Sequence, residues 1–161
     1  MTAAEKFQNL LREDARFDGE AYNFVYEALD YTLKEVVGSS HRSQHVSGQQ
    51  LLEGIRRFSI DRFGCMANAV FEAWGVRETV DFGSIVFNLV KHDLMGTEEE
   101  DRLEDFMDVY AFDEAFDVTP VFHYSRDQDE WRAQYVPAIE LERQRSPVHE
   151  KRRTRDNSEL L

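Results

Sequence analysis

Between Asp93 and Asp117 the chain places eleven Asp or Glu residues (93, 98 to 101, 104, 105, 108, 113, 114 and 117) against one Arg, Arg102, a local charge of −10 in a 161-residue chain of net charge −13.

 Clustered carboxylates can keep a protein soluble, draw in a basic partner, or hold a hard cation such as Ca²⁺. The spacing is not the Asp-x-Asp-x-Asp-Gly pattern of a calcium loop. A carboxylate pair for acid and base work would need one member in an apolar pocket, and the sequence does not place one there. Glu104, Asp105, Asp108, Asp113 and Glu114 are therefore the candidate partner-binding acids. Phe106, Tyr110, Phe112 and Phe116 lie among them as candidate aromatic contacts, and the expected partner is a basic protein.

Other groups carry less. His41-x-x-x-His45 has a spacing that would put two imidazoles on one face of a helix, as a metal site needs. The pair sits in a Gly-Ser-Ser-rich stretch with no Cys, acidic neighbour or third ligand beside it, so the histidines read as solvent-exposed. Cys65 follows Gly64 near a helix start, where a thiolate would be favoured, but a nucleophile also needs a base. It reads as a small buried residue. His92 precedes Asp93, yet adjacent residues on a helix point in different directions. No catalytic residue, metal or cofactor is assigned. The alternative function is an enzyme or metal protein using His41, His45, His92 and the acidic block.

The elements that must position these groups are mostly helical. Ser47 and Gln50 have capping-box spacing, and Leu51, Leu52, Ile55, Phe58, Ser59 and Phe63 then recur at three and four up to Gly64. Met66 to Trp74 reads as a shorter helix with Met66, Ala69, Val70, Ala73 and Trp74 inward, stopped by Gly75. Phe82, Ile85, Val86, Leu89 and Val90 mark a third, ending near Leu94 to Gly96. The turn Gly75 to Thr79 gives a helix-turn-helix rhythm. A DNA reader would present basic and amide groups there, whereas this helix offers Asp81, Ser84, Asn88, Lys91 and Asp93. DNA binding is not expected, because phosphate neutralisation supplies most of such affinity.

Upstream, Ala3 to Phe17 and Glu20 to Val37 predict two further helices, the second on Tyr22, Val25, Tyr26, Leu29, Leu33, Val36 and Val37. Residues 38 to 46 form a polar linker. Downstream, Thr97 and Glu100 have capping-box spacing, followed by Leu103, Phe106, Met107 and Tyr110 on one face, which predicts a docked helix with an acidic outer side. Val118 to Tyr124 predicts a short strand or extended arm, with Pro120 confining it to an edge. Asp127 to Tyr135 predicts one or two helical turns around Trp131 and Tyr135. Residues 120 to 161 hold eight basic and eight acidic side chains, including Lys151-Arg152-Arg153-Thr154-Arg155. Disorder is expected from about residue 140.

The fold class is thus mainly α: a compact helical domain over 1–117 with a helix-turn-helix or winged-helix-like core, an extended arm or short helix over 118–136, and a flexible tail over 137–161. One cysteine makes no internal disulfide, no basic and apolar leader opens the chain, and no apolar run reaches the ~20 residues that span a bilayer. A cytoplasmic protein without membrane contact is expected.

Several separated motifs carry a resemblance. Gly48-Gln49-Gln50-Leu51-Leu52-Glu53-Gly54-Ile55-Arg56-Arg57, Trp74-Gly75-Val76-Arg77, Asp81-Phe82-Gly83-Ser84-Ile85-Val86-Phe87-Asn88-Leu89-Val90, Glu104-Asp105-Phe106 and Phe112-Asp113-Glu114-Ala115-Phe116 resemble an uncharacterised family of small proteins from planctomycete and verrucomicrobial bacteria. The resemblance covers Phe17 to Phe116. It implies a bacterial cytoplasmic protein of unassigned activity, with no catalytic or binding residues to carry over.

Overall fold

The computed structural model describes residues 1–38, 45–96, 98 and 100–145, and it is mainly helical with one two-stranded sheet. Helix α1 (Ala3–Glu13) opens on a capping box, Thr2 and Glu5 exchanging bonds between side chains and backbone. It stops at Glu13, short of the expected Phe17, because Asp14 turns its carboxylate back onto the Arg16 N–H (3.1 Å). Helix α2 (Gly19–Tyr31) continues as a π-helical stretch, Thr32–Val37. Helix α3 (Gly48–Phe63) begins at the Ser47 and Gln50 capping box, whose two bonds are 3.2 and 3.0 Å. After a 3₁₀ turn (Gly64–Met66) come α4 (Ala67–Ala73) and α5 (Thr79–Lys91). Among the described residues no helix is long and apolar enough to cross a membrane.

Helix α4 turns a different face inward from the one its spacing suggested. Met66, Ala69 and Ala73 are exposed, while Ala67 and Phe71 are fully buried. In so short a helix the surrounding rings decide the rotation, since Phe71 meets aromatic partners on every side that Met66, Ala69 and Ala73 could not engage as well. Phe71 packs on Phe24 from α2 (5.4 Å between centroids), Phe82 from α5 (5.2 Å), Phe112 (5.7 Å) and Phe116 (5.3 Å). Cys65, in the 3₁₀ turn before α4, is exposed rather than buried.

The turn between α4 and α5 is fastened to the α1–α2 connection. The Asp18 N–H donates to the Trp74 carbonyl (3.0 Å), and the Arg16 carbonyl lies where a Cβ on Gly75 would be, 2.2 Å away. Gly75 also has φ of 82°, so the position needs glycine for both space and backbone conformation. A second close approach, of the π-helical stretch to α3, is set by Gly54, whose absent Cβ leaves room for the buried Thr32 hydroxyl.

Beyond α5 the expected continuous acidic helix is absent among the described residues. The chain forms a one-turn 3₁₀ segment (Leu103–Phe106), a bend, and a one-turn helix α6 (Phe112–Ala115). Thr97, half of the expected capping box, lies outside the described residues. A continuous helix would set Glu100, Glu104 and Asp108 at successive i,i+4 positions, where like charges repel. The broken path instead lets Phe106, Phe112 and Phe116 all enter the core.

Strand β1 (Val118–Ser125) matches the expected extended arm, but residues 130–137 form a second strand rather than helical turns. Strand β2 (Glu130–Pro137) pairs antiparallel with β1, with Phe122 opposite Ala133 and Tyr124 opposite Trp131. Trp131, Ala133 and Tyr135 alternate at the strand period of two, and Asp129, with φ of 50°, closes the turn. Helix α7 (Ala138–Arg145) then occupies the start of the expected disordered tail. The rest of that tail, with its basic cluster, lies outside the described residues.

Replacing Phe71 with Ala should cost about 3–5 kcal/mol. Urea unfolding followed by circular dichroism measures it, and a loss below about 1 kcal/mol would mean that the ring cluster is not the centre of the core.

Candidate functional site

The acidic segment is held from beneath by aromatic side chains. The Phe106 ring fills a slot between α3 and α5, where Cβ atoms on Gly48 and Gly83 would each stand 2.8 Å from it. The chain then turns through Asp108, whose φ of 50° is a left-handed conformation that Asp tolerates better than most residues. This turn aims the Val109 N–H at the hydroxyl of Thr79, a buried residue at the start of α5 (3.2 Å). The Tyr110 hydroxyl donates to the Leu52 carbonyl on α3 (2.8 Å), and burial pushes its phenol well above the usual range. Phe112 and Phe116 finish on Phe71.

The candidate acids and the candidate aromatics therefore part company. Phe106, Phe112 and Phe116 are buried and Tyr110 is partly so, which corrects their expected role as contacts for a partner. Glu104, Asp108, Asp113 and Glu114 are exposed, and Asp105 is half-buried against the backbone N–H of Arg102. Among the described residues, none of Glu104, Asp108, Asp113 and Glu114 forms an ion pair. Asp108 and Asp113 line an open cleft of about 510 Å³ together with Glu78 and Arg77, over a floor that includes Thr79, Tyr110 and Phe112. Glu78 was not singled out by spacing, because the cleft joins segments about 30 residues apart, and Leu103 and Met107, expected on the inward face of a docked helix, are exposed instead.

The histidines are dispersed. His41 lies outside the described residues. His45 stands between Glu98 and Asp101, 3.4 Å from each. His92 meets Glu13 on α1 (3.3 Å) rather than its neighbour Asp93. Among the described residues no group of three His, Cys, Asp or Glu is gathered as a metal site.

The polar face of α5 serves packing. Asn88 donates to the Asp14 carboxylate (2.8 Å) and to the Tyr22 hydroxyl (3.1 Å), and Lys91 pairs with Glu13 (2.9 Å). Asp81 accepts from the Arg77 and Glu78 N–H groups (2.8 and 3.0 Å) and so caps its own helix. The side chains that a DNA reader would present are thus engaged by α1 and by the preceding turn. Hydrogen bonds from Arg16, with a smaller one from Asn88, hold the Asp14 carboxyl well below the usual carboxylate range against the opposing effect of burial.

No protein-family model, curated protein or solved structure matches this chain. The geometry alone defines the site: an acidic cleft on a buried aromatic base.

Because the folded-state pKa of Asp14 is depressed, its contribution to stability is present above the unfolded carboxylate value, 3.8, and is lost as pH falls below it. Asp14→Ala should cost about 1–3 kcal/mol at neutral pH, with the difference from wild type shrinking below pH ~4. Thermal unfolding across that pH range measures the convergence.

Proposed function

We propose that this chain is a non-enzymatic protein-interaction module whose cleft, lined by Glu78, Asp108 and Asp113, takes a Lys or Arg side chain from a basic protein partner. The bacterial, cytoplasmic setting implied by the family resemblance belongs to the same proposal. The observation that carries this reading is the pair of carboxylates at the cleft, Asp108 and Asp113, which form no ion pair among the described residues and flank the Val109 N–H bond to Thr79 and the Tyr110 hydroxyl bond to Leu52. A cationic head would meet Asp108 and Asp113, and its aliphatic stem would lie along Tyr110, Ala111 and Phe112 on the cleft floor. The site charge is preformed, so a partner spends little on ordering it. Opposite charge of this kind raises the association rate and weakens with salt.

A synthetic Lys/Arg-rich peptide should bind the full chain with an affinity that falls as salt rises, and an Asp/Glu-rich control of equal length should not bind. The double variant Asp108→Asn, Asp113→Asn should bind about three- to tenfold more weakly while folding normally. Asn keeps the left-handed conformation at 108 accessible, so the loss reports charge rather than backbone strain. Isothermal titration calorimetry gives both numbers. Unchanged affinity in a folded double variant would rule out the cleft as the binding site.

A further inference from the structure

The β1–β2 hairpin exposes an aromatic face. Directly opposed residues of an antiparallel pair share a face, so Phe122, Tyr124, Trp131, Ala133 and Tyr135 all project to one side. The base of this face is covered: a Cβ on Gly64, whose φ is 56°, would stand 2.3 Å from the Tyr135 ring. The distal half is not. Trp131 is 70 % exposed, Phe122 64 % and Tyr124 47 %, with Tyr124 and Trp131 packed only on each other among the ring contacts. A two-stranded hairpin of this kind is marginal in water without a third strand or a covering layer.

The outer edge of β2 is open as well. Among the described residues the sheet ends at β2, and outside the β1–β2 ladder no backbone hydrogen bond reaches residues 130–137. Strand β1 carries Pro120 within its length, whereas β2 has proline only at its end, and its two charged side chains, Glu130 and Arg132, pair with each other, so its central residues 133–136 present an unblocked edge.

We propose that β2 pairs with β2 of a second copy of this chain, making a four-stranded sheet across a two-fold axis at Ala133. In that antiparallel register Ala133 faces Ala133 of the partner subunit, and Trp131 faces Tyr135 of the partner subunit on the same side of the sheet. The strand is therefore self-complementary, as an isologous interface must be. It unites the two aromatic faces and adds two cross-strand aromatic pairs. Charge favours the same occupant. Residues 118–137 carry two arginines and three carboxylates, and Arg132 is already paired with Glu130 of its own strand (2.6 Å). On a chain of net charge −13, this near-neutral hairpin lets two copies meet with little local repulsion.

Sedimentation velocity of the full chain, from micromolar to millimolar protein and at low and moderate salt, tests the pairing. A monomer–dimer equilibrium is expected, with the dimer strengthening as salt screens the net charge, the reverse of the salt response of the acidic cleft. Ala133→Glu places two carboxylates opposite each other at the axis and should weaken the dimer about tenfold or more, with circular dichroism and thermal midpoint unchanged. Trp131→Ala, at a solvent-exposed position, should weaken it without the added charge. A wild-type chain that stays monomeric throughout overturns the proposal. So does a folded Ala133→Glu or Trp131→Ala variant that dimerises as wild type does.

Discussion

The packing of rings around Phe71, four of them from other parts of the chain beyond its neighbours Phe63 and Trp74, is the constraint on which the other features depend. Phe24, Phe82, Phe112 and Phe116 reach it from α2, α5, α6 and the residue after α6, all within 5.2 to 5.7 Å between centroids. Without this hub, α4 would have too little apolar surface to hold its place, since a seven-residue helix is far below the length that is stable alone. With it, one short helix joins the N-terminal helices to the acidic segment.

That junction explains how the described part of the acidic stretch, residues 100–117 with eight Asp or Glu against one Arg, holds its path. Each like-charge neighbour along a helix costs about 0.2–0.5 kcal/mol, whereas burying a phenylalanine contributes about 1.5–3 kcal/mol. Three buried rings, Phe106, Phe112 and Phe116, therefore outweigh the repulsion of the carboxylates between them, provided the backbone bends to reach both ends of the core. The bend at Asp108 does this and leaves the acids facing water. Apolar and acidic residues alternate in sequence but separate in space, inside and outside.

Much of the helical framework was legible. The Ser47–Gln50 capping box and the apolar spacing of α2, α3 and α5 depend on neighbours three and four residues apart, which the sequence displays directly. Phe71 was not, because the i,i+3 series from Met66 and the i,i+4 step from Ala67 to Phe71 compete in one short helix, and only the surrounding rings choose between them. The acidic residues were legible as a cluster, yet their aromatic neighbours looked equally available to a partner until the slot between Gly48 and Gly83 accounted for Phe106. The hairpin was half legible: Pro120 marked β1 as an edge, but the aromatics of β2 fit a helical turn as readily as a strand until its partner fixed the period. The cleft had no local signature, because Glu78 and Asp108 meet only through the fold.

Amide hydrogen exchange by NMR tests most directly whether the acidic segment is a fixed surface rather than a mobile charged loop. The Val109 amide, bonded to Thr79, and the Ala115 and Phe116 amides, bonded to the carbonyls of Ala111 and Phe112, are expected to exchange far more slowly than in an unstructured peptide. Weakening the hub by Phe71→Leu should speed all three together. Exchange at unstructured rates in the wild-type chain would contradict the aromatic anchoring on which the acidic cleft depends.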